Sequence, residues 1–184
     1  MKININHFVS ILKTGKTLLY PTDTIWGLGC DATNQAAVEK IYSLKKRDLS
    51  KPLIALVADV NMLSNYVSEL PENIYALLNS DVPTTLVYPK GKGLAKGVMA
   101  HNGSVAIRIP TAGFTLDLIK SFGKPIVSTS ANISDAPVPG SFGEIDPEIL
   151  AQVDEVVPLN KEKIARISSQ VLQLMPDGSV RQLR

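Results

Sequence analysis

The sequence has few of the residues that build disulfides and zinc sites. It contains one cysteine, Cys30, and two histidines, His7 and His101, which lie far apart along the chain. One thiol cannot form a disulfide within the chain. Two distant histidines do not favour a zinc site, which usually takes several His or Cys ligands. We therefore expect no metal held by the protein and a reducing compartment.

The sequence also lacks long apolar runs and a strong excess of either charge. No stretch approaches the ~20 apolar residues that span a bilayer, and the N-terminal residues lack the apolar core of a secretory signal. We expect a cytoplasmic protein without a membrane contact. The net charge of the 184 residues is +2, which permits an anionic ligand but is small for a nucleic-acid domain.

The sequence does contain an alternation of helical and strand patterns. Apolar spacing predicts helices over 5–14, 34–46 and 114–122, and two short helices over 60–68 and 72–79 that break at Pro71. Short apolar runs predict strands over 18–21, 53–58, 83–89, 104–110 and 125–127, and a closing hairpin of 171–174 with 180–183. This order predicts an α/β fold, with a single domain over residues 1–184 and a twisted mixed sheet flanked by helices.

Polar side chains follow several of the predicted strands. Residues 22–24 (Thr-Asp-Thr) follow the first strand, and Arg108 and residues 128–132 lie at the ends of two others. Ligands of open α/β sheets bind where strand ends and loops converge, so we expect these side chains to lie close together. Residues 90–103 contain four glycines and three lysines, which predicts a mobile segment that forms a lid or a basic lip.

The chemistry of these polar residues suits a polyanion. Arg47 and Arg108 can each bind phosphate or carboxylate through two N–H groups, and Lys45 adds a point charge. Such a site catalyses by positioning reactants and stabilising developing charge, as in nucleotidyl transfer. No Ser-His-Asp set can be assembled from the two histidines. The competing interpretation is a solvated surface, in which Lys45 and Arg47 cover the C-terminal end of helix 34–46.

Four motifs occur in order along the chain: Pro-Thr-Asp-Thr-Ile-Trp-Gly-Leu-Gly at 21–29, Lys-Lys-Arg at 45–47, Ala-Ile-Arg-Ile-Pro at 106–110 and Ser-Thr-Ser-Ala-Asn at 128–132. With this combination and spacing, the sequence resembles the YrdC/TsaC family of threonylcarbamoyl-AMP synthases over nearly its whole length, in the short single-domain form. The resemblance implies the family's twisted α/β sheet with an electropositive concave face.

The resemblance also implies a reaction and its partners. L-threonine, bicarbonate and ATP would give threonylcarbamoyl-AMP, pyrophosphate and water, with Mg²⁺ accompanying the ATP as a substrate. A separate transferase complex would then use the product to modify tRNA. Direct contact of this chain with tRNA or double-stranded RNA is left open.

Residue roles follow from the same resemblance. A catalytic tetrad would lie on the nucleotide phosphates, formed by Lys45, Arg47, Ser130 and Asn132. Further nucleotide contacts would come from Lys51, Ser104 and Arg184. L-threonine would contact Thr24, Arg108, Ser128 and Ser169, with its carboxylate on Arg108.

The sequence departs from the family pattern at several positions. Lys51 stands where many relatives have Asn, and Asp135 replaces the Gly that is usual after Ser-Ala-Asn-x-Ser. Leu56 falls where some relatives carry a His near the threonine. Trp26 replaces the usual Tyr, and Asp48 replaces the Pro that commonly follows Lys-x-Arg. None of these changes removes the tetrad.

Two other functions remain open from the sequence. One is a non-catalytic module, or a ribosome-maturation factor, that binds double-stranded RNA or tRNA on the same basic surface. It would need a wider basic field than a net charge of +2 indicates. The other is a paralogue that uses a different substrate. The intact tetrad favours nucleotide chemistry but does not fix threonine as the amino acid.

Overall fold

A mixed sheet with helices on both faces makes up the described part of the molecule. The structure is a computed structural model and describes residues 3–70, 72, 74–78, 82–162, 164, 168–175 and 177–184. The helices in these ranges are α1 (Ile5–Lys13), α2 (Gln35–Lys45), α3 (Val60–Ser64), α4 (Ile74–Leu78), α5 (Phe114–Phe122) and α6 (Pro147–Gln152), with a 3-10 turn at Phe142–Glu144. The strands are β1 (Leu18–Pro21), β2 (Trp26–Gly29), β3 (Ile54–Leu56), β4 (Thr84–Tyr88), β5 (Val105–Arg108), β6 (Ile126–Ser130), β7 (Glu155–Val156), β8 (Gln170–Leu174) and β9 (Val180–Gln182).

The sheet mixes parallel and antiparallel pairs. Among the described residues nine strands pair in the order β7-β1-β2-β6-β3-β5-β4-β8-β9. Three neighbouring pairs are parallel, namely β7 with β1, β3 with β5, and β4 with β8. The register places Leu56 and Thr85 beside Arg108 on its two neighbouring strands, and Ile54 beside Ser128. The central strands therefore bring the predicted site residues to one region of the sheet.

Side chains alternate between the two faces of the sheet, as the strand repeat requires. Ala55 and Val127 belong to a core that also contains residues of α2, α3 and α4. Their chain neighbours Leu56 and Ile126 belong to a second core, with residues of α1 and α5. Helices thus cover both faces, which confirms the predicted α/β class with a mixed sheet.

The two ends of α2 follow from the local sequence. The Asn34 side chain caps the first turn, because its oxygen accepts a hydrogen bond from the Ala37 N–H at 3.1 Å. At the other end Lys46 adopts a left-handed conformation (φ 49°) that stops the helix. Lys46 thus separates the buried Lys45, the last residue of α2, from Arg47, which is only partly buried.

Several element predictions are confirmed and others are too long. The helices predicted over 5–14, 34–46 and 114–122 and the closing hairpin are confirmed. The helix predicted over 60–68 ends at Ser64, because Val67 pairs with Gly91 instead. The helix predicted over 72–79 covers Ile74–Leu78, and the break at Pro71 lies outside the described residues. None of the helices in the described ranges has the length and apolar character needed to cross a membrane.

Residues 90–103 do not form the mobile lid or basic lip that their composition predicted. Leu94, Ala95 and Val98 are buried in the core beside α2. The Gly97 carbonyl accepts hydrogen bonds from the Leu53 N–H and the Tyr42 hydroxyl, both at 2.8 Å. No residue of this segment, all of which the structure describes, lines the cavity that holds the predicted site residues. Gly91 and Gly97 in this segment are closely packed, since a Cβ there would lie 2.9 Å from Val105 and 2.7 Å from Tyr42.

Candidate active site

A cavity of about 390 Å³ opens where the strand ends meet. The turn between β1 and β2, the ends of the central strands and the C-terminal residues all line it. Of the predicted site residues, those on the cavity wall are Thr24, Arg47, Arg108, Ser128, Ser130, Ser169 and Arg184.

Arg108, the last residue of β5, gives one wall of the cavity a cationic donor. Only 6% of the surface of Arg108 is exposed to solvent. One guanidinium nitrogen donates to the Thr24 hydroxyl at 3.2 Å, and the other terminal nitrogen forms an ion pair with Asp23. A guanidinium has five N–H donors, and the contacts made by the described residues use two of them. The Arg108 side chain is thus held in place yet still able to bind an anion.

The turn between β1 and β2 is fastened by its own hydroxyls. The Thr22 hydroxyl donates to the Ile25 carbonyl at 2.6 Å and accepts from the Thr24 N–H at 3.0 Å. Thr22 and Thr24 hydroxyl oxygens are 2.9 Å apart. Because the Thr22 proton is already donated, Thr24 donates to Thr22 and accepts from Arg108. Thr24 is therefore fixed at the cavity wall with a defined orientation.

Arg47 supplies the second cation on the cavity wall. Its Nε donates to the Lys51 carbonyl at 2.9 Å, and one terminal nitrogen donates to the Pro52 carbonyl at 3.1 Å. These bonds, together with a hydrogen bond to the Tyr42 side chain, orient the guanidinium at the cavity wall. Such a group can hold a phosphate through two parallel hydrogen bonds.

Lys45 lies behind the cavity wall rather than on it. Only 1% of the surface of Lys45 is exposed to solvent. Its ammonium donates to the Ser130 and Asn132 carbonyls at 2.6 Å each and to Asn132 Oδ1 at 3.3 Å. Burial, and secondarily the charge of Arg47, lowers the pKa of Lys45 to about 7. The interpretation of Lys45 as a solvated cation at a helix end is therefore wrong.

Ser130 and Asn132 belong to a hydrogen-bonded turn whose carbonyls accept from the Lys45 ammonium. The Ser130 hydroxyl donates to Asn132 Oδ1 at 2.5 Å, and Asn132 Nδ2 donates to the Ala136 carbonyl at 2.7 Å. Ser130 is on the cavity wall, whereas Asn132, like Lys45, is not. Within the tetrad, Arg47 and Ser130 thus reach the cavity, and Lys45 and Asn132 support the turn.

The remaining wall combines hydroxyls with a third arginine, Arg184. The hydroxyl oxygens of Thr85 and Ser169 are hydrogen-bonded at 2.8 Å, and Arg184 donates to the Ser169 carbonyl at 3.1 Å. Ser128 lies on the same cavity, above the buried Tyr20. Burial raises the pKa of Tyr20, so its hydroxyl stays protonated and donates to the Val127 carbonyl at 3.0 Å.

Two predicted nucleotide contacts do not reach the cavity. Lys51 forms an ion pair with Asp135, and Ser104 precedes β5 at the end opposite to Arg108, where its hydroxyl donates to Asn102 Oδ1 at 2.8 Å. Neither residue is on the cavity wall. Their nucleotide roles stay predictions.

The sequence reasoning missed other residues of the site. Asp23 was seen only as a carboxylate near a strand end, and its ion pair with Arg108 joins residues that are 85 positions apart. Thr22 and Thr85 also line the cavity. The position of Thr22 and Asp23 beside Thr24, directly after a predicted strand, indicated that they could belong to the site. Nothing in the sequence of β4 indicated this for Thr85.

The acidic and metal-ligating side chains of the described residues do not cluster around the cavity. Within the described ranges no group of three or more His, Cys, Asp or Glu side chains is placed to hold a metal ion. The Asp23 carboxylate is already paired with the cavity residue Arg108. The cavity donors are instead cations and hydroxyls, which suit anionic ligands.

Comparison of the sequence with protein families and curated proteins gives consistent matches. The Sua5/YciO/YrdC family model, described as telomere recombination, matches residues 10–184. The threonylcarbamoyl-AMP synthase of Stenotrophomonas maltophilia (strain K279a) is 31% identical over 160 residues, which are 85% of this chain and 86% of the relative. That of Pseudoalteromonas translucida (strain TAC 125) is 34% identical over 149 residues, or 79% of this chain and 80% of the relative.

Comparison with solved structures gives the same fold. P. abyssi Sua5 complexed with L-threonine superposes with a TM-score of 0.88 and 28% identity, covering 100% of this chain and 55% of that one. Full-length HypF in its phosphate- and nucleotide-bound form superposes with a TM-score of 0.85 and 26% identity. The match covers 100% of this chain and 29% of HypF. The chain therefore spans about half the length of that Sua5 and less than a third of HypF.

Proposed function

The chain belongs to the Sua5/YciO/YrdC family, and from this membership and the cavity we propose that it is a threonylcarbamoyl-AMP synthase. The observation that carries the proposal is the convergence of Arg47 and Arg108 on one cavity with several hydroxyls. Each arginine keeps donors for an anion, so one can take a carboxylate while the other takes phosphate. A synthase that joins an amino acid to a nucleotide needs this pair of anion sites.

The reaction balances with ATP as the substrate that supplies the adenylate. Bicarbonate takes up a proton and loses water to give CO₂, and the threonine amine adds to CO₂ and releases a proton to form a carbamate, so that the two protons cancel. A carbamate oxygen then bonds to the α-phosphorus of ATP while the bond from that phosphorus to the β-phosphate oxygen breaks. The products are threonylcarbamoyl-AMP, pyrophosphate and water. The contribution of the protein is to hold the two anions together and stabilise the charge that develops on the phosphates.

We assign the two arginines to different substrates. Arg108 binds the threonine carboxylate, with Thr24, Ser128 and Ser169 as its neighbours. Arg47 and Ser130 contact the nucleotide phosphates. In this proposal Lys45 and Asn132 complete the tetrad, and Lys51, Ser104 and Arg184 are further nucleotide contacts.

Mg²⁺ is proposed to enter with ATP. When bound, it neutralises phosphate charge and favours departure of pyrophosphate. The chain's own part is to hold the phosphate oxygens through the Arg47 N–H groups, a cationic donor suited to an ATP–magnesium complex rather than to the metal itself. The Ser130 hydroxyl can donate to a phosphate oxygen only after its proton leaves Asn132 Oδ1.

The wider role proposed is tRNA modification in the cytoplasm. The adenylate would pass to a separate transferase complex that attaches the threonylcarbamoyl group to an adenosine of tRNA. We also propose that residues 1–184 form a single domain.

The test is synthesis of the adenylate from defined substrates. Purified protein is incubated with ATP, Mg²⁺, bicarbonate and single amino acids, and pyrophosphate release and adenylate mass are measured. We expect product with threonine and bicarbonate only, and its loss in Arg47→Ala. Arg181→Ala is the matched control, because Arg181 lies on exposed β9 and bonds to Gln173 at 2.6 Å.

Each outcome of this test bears on the proposal. Product with another amino acid would keep the mechanism and change the substrate. No product with any amino acid, together with salt-sensitive binding of double-stranded RNA, would replace the synthase by the RNA-binding function.

A further inference from the structure

Arg108 carries a charge that the surrounding protein must balance. The residue is 6% exposed, and a buried cation without a partner is strongly unfavourable. The carboxylate that pairs with it is that of Asp23, whose side chain is 18% exposed. The pair joins the β1–β2 turn to the end of β5, alongside the hydrogen bond from Arg108 to Thr24.

Asp23 contacts Arg108 without lining the cavity itself. Arg108 is on the cavity wall, whereas Asp23, which the structure also describes, is not. The Asp23 carboxylate is thus not among the groups that line the cavity. It holds one terminal nitrogen of the guanidinium, while the Thr24 hydroxyl holds the other.

Two anchored nitrogens define the plane of the guanidinium. Asp23 and Thr24 together take two of the five N–H donors, and the planar group cannot rotate without breaking both bonds. The remaining donors then keep a constant direction relative to the cavity. A carboxylate bound through two parallel N–H groups requires that alignment.

We propose that Asp23 is a positioning residue that fixes Arg108 for the carboxylate of the amino-acid substrate. This inference rests on the proposed function, because it takes the anion at Arg108 to be that carboxylate. Asp23 acts only through Arg108 and touches no reacting atom. Its loss would therefore weaken the amino-acid site and leave the nucleotide site at Arg47 unchanged.

The experiment compares Asp23→Asn and Asp23→Glu with wild type. Isothermal titration measures L-threonine binding, and steady-state assays measure the separate KM values for threonine and ATP. We expect Asp23→Asn to raise the threonine KM by about 10-fold or more, with the ATP KM within about twofold. Asp23→Glu keeps the charge and should fall between wild type and Asp23→Asn.

The matched control is Asp117→Asn, which removes an exposed carboxylate on α5. It should leave both KM values unchanged. If Asp23→Asn does not fold, Asp23→Glu carries the same test, since a longer side chain displaces the guanidinium and raises the threonine KM alone.

The outcomes separate this inference from the proposed function. If wild type neither binds threonine nor forms the adenylate, the proposed function fails. If wild type is active and both Asp23 variants keep the wild-type threonine KM, or if both KM values rise together, the positioning role of Asp23 is overturned. Tighter threonine binding by Asp23→Asn would also overturn it, because Asp23 would then compete with the substrate.

Discussion

Lys51 and Asp135 form a two-pronged ion pair, with the Lys51 ammonium 2.9 Å from one carboxylate oxygen and 3.0 Å from the other. Both residues depart from the family pattern, and Asp135 has a φ of 66°, where glycine is the favoured residue. The pair connects the segment after Arg47 to the turn that contains Asn132. The two departures are thus coupled through one contact beside the proposed nucleotide site.

The ion pair itself should add little stability. The two side chains are 47% and 80% exposed, and exposed pairs of this kind contribute about 0.2–1 kcal/mol. A double-mutant cycle of Lys51→Ala and Asp135→Asn, measured by urea unfolding, should give a coupling energy in that range. A coupling above about 2 kcal/mol would contradict the estimate.

Releasing Lys51 should affect ATP rather than the fold. Asp135→Asn removes the competing carboxylate and keeps a residue that tolerates the left-handed conformation. If Lys51 contacts the nucleotide, as predicted, the ATP KM should fall in Asp135→Asn but not in the double variant. Glu148→Gln is the control, because it releases Lys46 from a similar exposed pair away from the cavity. An unchanged ATP KM in Asp135→Asn would remove Lys51 from the site.

Arg47 should not be replaceable by lysine. Arg47→Lys keeps the charge but loses the planar fork that bonds to the Lys51 and Pro52 carbonyls and to phosphate. We expect kcat/KM for ATP to fall roughly 10- to 100-fold, with unchanged threonine binding by titration. Arg181→Lys on β9 is the control. Full activity of Arg47→Lys would show that the arginine acts only as a point charge.

The buried Lys45 should make stability depend on pH. Its ordinary pKa is 10.5 and its pKa in the folded protein is about 7, so between these values the unfolded chain binds the proton and the folded chain does not. Stability then rises with pH by at most about 1.4 kcal/mol per unit. The contribution is complete above 10.5 and is lost as the pH falls through 7.

Denaturant unfolding of wild type and Lys45→Met between pH 7 and 9 checks this sign. Lys45→Met has no proton to bind, so the stability of wild type relative to the variant should increase over this interval. Parallel pH profiles for the two proteins would mean that Lys45 stays protonated throughout, held by its three oxygen acceptors.

The sequence predicted the helices and strands that carry this site better than the side-chain contacts within it. Helix α2 and strand β6 follow from local apolar spacing, and a helix cap at Asn34 fits its start. The direction of the Lys45 side chain does not follow from the local sequence, because Lys-Lys-Arg at a helix end is equally typical of a solvated surface. Lys45 is directed inward by the carbonyls of Ser130 and Asn132, at least 85 residues away. Such contacts depend on strand register, which local patterns do not contain.

The same limit applied to residues 90–103. Their glycines and lysines predicted a mobile segment, but the apolar residues between them are buried beside α2. Composition gave the wrong result because three of these residues, Leu94, Ala95 and Val98, were sufficient to anchor the segment. Tertiary contacts thus overrode a local preference.

Gly27 should keep the amino-acid side of the cavity open. Gly27 is on the cavity wall, and a Cβ there would lie 3.0 Å from Thr22 Cγ2 and 3.1 Å from the Ser128 hydroxyl. Because these are side-chain atoms, they can shift by a few tenths of an ångström. Gly27→Ala should therefore fold and raise the threonine KM by about 10-fold, equivalent to about 1.4 kcal/mol.

Gly29→Ala provides the contrast on the same strand. A Cβ at Gly29 would lie 1.9 Å from the Val127 carbonyl oxygen, which belongs to the backbone of β6 and cannot move independently. We expect this variant to lose the β2–β6 pairing and to unfold at a much lower temperature than Gly27→Ala. Thermal unfolding followed by circular dichroism distinguishes the two. Equal melting temperatures would contradict the packing argument, and a wild-type threonine KM in Gly27→Ala would move the amino-acid site away from Ser128.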